Sequence, residues 1–94
     1  MKDFNAIGRY VTAIEEIDAA LTARNDALAD LVELCGKASR DRGDGTAIVR
    51  FNAALAQQKI DKVVAKEAKI IAAMADANAA AADAVQPVLN EVWR

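Results

Sequence analysis

Ninety-four residues with a net charge of −2 fit one small domain, and the absence of His removes the commonest general base and the commonest metal ligand. A single Cys permits neither an intramolecular disulfide nor an ordinary structural zinc site. Alanine fills 23 of the 94 positions while Gly and Pro number 4 and 1, so the expected class is all-α.

In chain order, Met1-Lys2-Asp3-Phe4-Asn5 carries neither an apolar core nor a cleavage site. No signal peptide is expected, and the expected compartment is the reducing cytoplasm. A first helix is predicted over residues 4–39. Ile7, Ile14, Leu21, Leu28 and Cys35 recur at intervals of seven, with Phe4, Val11, Asp18, Asn25 and Val32 as the partner stripe. That pattern predicts a heptad seam. Tyr10, Ile17 and Leu31 form an adjacent stripe, and Ala6, Ala13, Ala20 and Ala27 the next. An apolar face this wide exceeds what one partner helix covers. The chain is therefore expected to dimerise into a four-helix bundle, with Tyr10, Ile17 and Leu31 as the dimer surface. The competing expectation is three shorter helices, with a break near Arg24-Asn25-Asp26.

Gly36, Gly43 and Gly45 cluster around "SRDRGDGT", residues 39–46, which predicts a turn over 40–45. Asp41, Asp44 and Thr46 are candidate caps for the helix that follows. Arg42-Gly43-Asp44 resembles an integrin-recognition tripeptide, but turn chemistry accounts for every residue type in the loop.

A second helix is predicted over residues 46–85. Ile48, Phe51 and Leu55 begin its stripe and Ile60, Val63, Val64, Ile70, Ile71 and Met74 continue it after a phase slip, the mark of a stutter. Asp76, Asn78 and Asp83 interrupt the Ala-rich run, so no membrane span is expected. Pro87 ends the helix. Beyond it Val88, Leu89, Val92 and Trp93 fall on one face of a short helix expected over 87–93, with Asp83 and Gln86 as a capping box.

A tip near Gly43 predicts an antiparallel, coiled-coil-like hairpin in which paired residue numbers total about 86. Charge agrees with the orientation: residues 15–33 carry net −5 and residues 50–69 net +3. Such pairs select register more than they stabilise. In this register Asp18 lies near Lys66 and Lys69, Arg24 near Asp61, and Cys35 near Phe51. The Lys59–Lys69 row is the alternative reading, a phosphate track on nucleic acid, yet it lacks interleaved aromatics and faces acidic neighbours. Asp18 and Glu67 lie at seam positions, where the alternatives are a catalytic carboxylate and a paired ion, and the paired ion is the expected one.

A hairpin of this length resembles the small helical proteins exported by type VII secretion, whose turn carries Trp-x-Gly. This turn has no Trp, so nothing is carried over from that resemblance. The expectation is a single helical domain over 1–94, without catalytic residues, cofactor or metal. It acts as an adaptor, regulator or assembly factor on another protein. Val88, Leu89, Val92 and Trp93 are the candidate partner-binding residues, since Trp is enriched where interface energy concentrates. The bland reading of the same residues folds them back over Phe4, Ile7 and Tyr10 or onto a dimer partner.

Overall fold

The computed structural model describes residues 4–41, 43 and 45–93. Its regular elements are α1, Phe4–Ser39, and α2, Ala53–Ala84, packed along their lengths as an antiparallel hairpin. No strand occurs among the described residues. At about 1.5 Å per residue the helices run roughly 54 and 48 Å, and the molecule measures 71 × 20 × 16 Å. The expected break near Arg24 does not occur. The Arg24 guanidinium donates to Asn25 Oδ1 at 3.1 and 2.9 Å and to Glu67 Oε2 at 3.4 Å while α1 runs on unbroken.

The face turned inward is not the one with the largest side chains. Ala6, Ala13, Ile17, Ala20 and Ala27 are the buried residues of α1. The stripe expected to be the seam lies on the flank: Ile7, Ile14 and Leu21 are half-buried, and Phe4, Val11, Leu28, Val32 and Cys35 are exposed. In α2 the inward positions are Ala56, Val63, Ile70, Ala77 and Ala84, alternating with Lys59, Lys66, Ala73 and Ala80. Steps of three and four run through without interruption, so the expected stutter is absent. It came from following Val64 and Ile71, which are exposed. The physical reason is steric. A methyl side chain lets two backbones approach closely, and alanine loses no rotamer freedom on burial. Each buried methyl contributes about 0.8 kcal/mol.

Ala6, Ala80 and Ala84 form one buried cluster, and Ile17, Ala20, Ile70 and Ala73 another. Ion pairs join Arg24 to Glu67 and Lys59 to Asp30. Facing numbers therefore total about 90, one helical turn from the expected register. The connector explains the shift. Residues 46–52 are not helical, and α2 starts at Ala53 rather than 46. Asn52 is its N-cap, accepting the Leu55 N–H at 2.9 Å. Ile48, read from sequence as the start of a stripe, is exposed, as is Val49, whose N–H is taken by Asp41 Oδ2 at 2.8 Å. Asp41 Oδ1 accepts the Gly43 N–H at 3.0 Å. The Gly43 and Val49 amides hold the Asp41 carboxyl below its ordinary value. Asp41 thus organises the connector instead of capping the helix.

At the other end, Val85 adopts φ 56° and ψ 50°. Its N–H reaches Ala82 O at 3.2 Å, and the Gln86 N–H reaches Ala81 O at 2.9 Å. Those two bonds are a Schellman closure, usually built on Gly and here on a β-branched residue. Gln86 is committed to this closure and forms no capping box. Residues 86–93 run without helix, contrary to the expected short helix over 87–93. The left-handed turn at Val85 and the restriction imposed by Pro87 send the chain off in an extended path.

Candidate functional site

The C-terminal tail folds back along α2. Asn78, in α2, presents its side-chain amide to the backbone of Leu89. The Leu89 N–H donates to Asn78 Oδ1 at 2.7 Å, and Asn78 Nδ2 donates to Leu89 O at 2.9 Å. The amide thus does for Leu89 what a neighbouring strand does, satisfying one donor and one acceptor. The Leu89 side chain packs against the Ile17–Ala20–Ile70–Ala73 cluster, beside Ile14, Leu21 and Met74. Further on, Glu91, Val92 and Trp93 line a groove with Arg24, Glu67, Ile71 and Met74.

The four tail residues picked out from sequence therefore divide. Leu89 is half-buried and docked on the Ile17–Ala20–Ile70–Ala73 cluster rather than on Phe4, Ile7 and Tyr10. Val88, Val92 and Trp93 are exposed, Trp93 at 94%. Asn78 is the residue that sequence reasoning missed. In the sequence it interrupts an apolar run, and nothing in side-chain periodicity marks a partner for backbone groups.

The proposed dimer stripe also lies elsewhere than expected. Ile17 is buried between the helices and Tyr10 and Leu31 are half-buried on the same inward face, so they line the hairpin's own seam. The bare apolar surface is the flank. Steps of seven from Leu21 lead to Leu28, and from Met74 to Glu67 and Ile60, all on the side where the tail lies. Beside them Val32, Val64 and Ile71 are exposed, Val32 at 70% and Val64 at 61%. The tail covers this side from Asn78 to about Glu67. Toward the connector, Leu28, Val32, Ile60 and Val64 have no such cover.

The opposite side is polar. Lys66 and Lys69 border a shallow groove with Glu16 and Asp76, and Lys59 Nζ sits 3.3 Å from Asp30 Oδ2. Lys59 and Lys66 occupy seam positions with half-buried stems. Within the lysine row, Lys59 is thus paired with a carboxylate, and Lys66 and Lys69 share a groove with two more. Glu67 is paired with Arg24, and Asp18 is exposed, its carbonyl accepting the Thr22 hydroxyl at 3.1 Å. Cys35 is exposed, as is Phe51, against which it was expected to pack. Among the described residues no group of three or more His, Cys, Asp or Glu could hold a metal ion, and no helix is long and apolar enough to cross a membrane. Of the Arg42-Gly43-Asp44 tripeptide, Gly43 is exposed with φ 62°, and Arg42 and Asp44 lie outside the described residues.

No family model matches the chain, and neither a curated protein nor a solved structure shows significant similarity to it.

Proposed function

We propose that the chain is a non-catalytic protein–protein interaction module that works through its helical surfaces. One observation carries this reading. Leu28, Val32, Ile60 and Val64 stand uncovered on one side of a slender hairpin, with the exposed Trp93 at the edge of the same side. A contiguous exposed apolar patch marks an interaction site more often than scattered apolar residues do. Aromatic anchors of this kind dominate interface energetics.

The test is affinity capture from cells with the full chain, against a Val32→Glu/Val64→Glu double variant. Both positions are exposed, so the variant keeps its helix content by circular dichroism. Associations made by the native chain and lost by the variant support the module. Identical capture by the two chains overturns it. A parallel titration of binding to random duplex DNA addresses the lysine row, since phosphate contacts weaken steeply with salt.

A further inference from the structure

We infer that the occupant of the bare apolar flank is a second copy of this chain. It lies antiparallel across a two-fold axis, so that the tail of each copy covers the connector half of the other. The inference rests on the interaction-module reading and names its partner.

Area supplies the first support. The chain exposes 7035 Å², whereas a globular protein of its 10.0 kDa mass exposes about 5,200 Å². The excess is about 1,800 Å² per chain. Interfaces of permanent homodimers bury about 2,000–5,000 Å² in total, or roughly 1,000–2,500 Å² from each copy. A monomer with this surplus of surface has what a stable dimer requires. Shape agrees: the radius of gyration is 19.4 Å, against about 12 Å for a compact chain of this length.

The second support is that the two halves of the flank are unlike and complementary. Near the open end, Leu89 is tied down and the outer surface of the tail shows Val88, Val92 and Trp93 to solvent. Near the connector, the helices show Leu28, Val32, Ile60 and Val64 with nothing laid over them. One half is raised by the tail laid over it, and the other, without that layer, lies lower. A two-fold axis lying in the plane of contact, at right angles to the hairpin's long axis and level with its middle, sets the raised half of each copy against the lower half of the other. The contact is isologous and closes on itself, leaving no unmatched surface to propagate a fibre. It gives four helices in two layers with both tails between them. Tyr10, Ile17 and Leu31 stay inside each hairpin and take no part.

Trp93 is the chain's only Trp, so its emission reports on this contact directly. The experiment is sedimentation equilibrium of the full chain across micromolar concentrations, with Trp93 emission and iodide quenching on the same samples. The expected result is a mass twice that of the chain, with Trp93 blue-shifted and protected in step with the dimer fraction. Val64→Glu, in the other half of the flank, is expected to give a helical monomer with red-shifted, quenchable Trp93. Leu28→Glu is the second variant and is expected to behave the same way. A monomer at every concentration overturns the proposal. So does a dimer whose Trp93 stays fully quenchable, or one that both variants leave intact. A monomer whose association with another protein is lost on Val64→Glu overturns self-pairing alone and leaves the module reading standing.

Discussion

The open-end half of the hairpin and its connector half share one fold and hold it in different ways. Ten of the twelve buried residues lie within 4–21 and 70–84, whereas the connector half contributes Ala27 and Ala56. In the open half, alanines from both helices interleave and the seam excludes water. In the connector half the inward positions pass to Arg24, Leu31, Lys59, Val63 and Lys66, none of them fully buried. Long charged side chains must keep their heads in water, so they hold the seam open. The difference separates burial from alignment. Moving α2 by seven residues would put Ala84 where Ala77 was and Ala80 where Ala73 was, so the methyl seam hardly distinguishes one register from the next. Arg24–Glu67 and Asp30–Lys59 do distinguish them, although each exposed pair contributes only about 0.2–1 kcal/mol. One half supplies stability and the other supplies register.

Overfilling the open half tests that division most severely. Ala77 is 0% exposed, so Ala77→Leu forces the helices apart and is expected to cost about 3 kcal/mol. Thermal melting should show a fall of more than about 10 °C for a chain of this size. The same change at exposed Ala65 in the connector half should stay within about 0.5 kcal/mol. Equal losses at the two positions would break the comparison.

Next in size is the tail clasp. Asn78→Ala removes both hydrogen bonds to Leu89 and is expected to cost about 1–2 kcal/mol. Amide exchange at Leu89 should accelerate while the protection of α1 is kept. Smaller, and opposite in sign, is Val85→Gly. Glycine accepts φ 56° without the Cβ clash, and the variant is expected to gain about 1 kcal/mol by denaturant unfolding.

The smallest effect belongs to the connector. Asp41 has its folded pKa depressed by the Gly43 and Val49 amides. The contribution of a group with a lowered pKa is complete above its unfolded value, about 3.9, and is lost as pH falls through the folded value. Amide shifts of Gly43 and Val49, followed by NMR, should therefore be flat from neutral pH down to the ordinary carboxylate range and move below it. Because the Asp41 hydrogen bonds lie open to solvent, the melting temperature of Asp41→Asn at neutral pH should barely differ from that of the native chain.

The all-α hairpin was legible because Ala content, scarce breakers and opposite charge blocks point the same way. Which face turns inward was not. By side-chain size Ile7, Ile14 and Leu21 outweigh Ala6, Ala13 and Ala20, whereas close packing selects the small residues. The start of α2 was readable only in retrospect from Asn52, an N-cap residue directly before Ala53. The tail's apolar character was visible, and its docking was not. A left-handed Val85 contradicts residue preference, and Asn78 binds main-chain atoms, which every sequence has.

The Asn78 clasp is indifferent to the identity of what it holds. It contacts only an N–H and a C=O, so it requires of position 89 a residue other than proline. The choice of Leu is left to the apolar cluster behind it. The hairpin is in this sense a mount whose terminal segment is interchangeable. The outward residues at 88, 92 and 93 can be rewritten to present a different surface while the same two hydrogen bonds keep the segment in place.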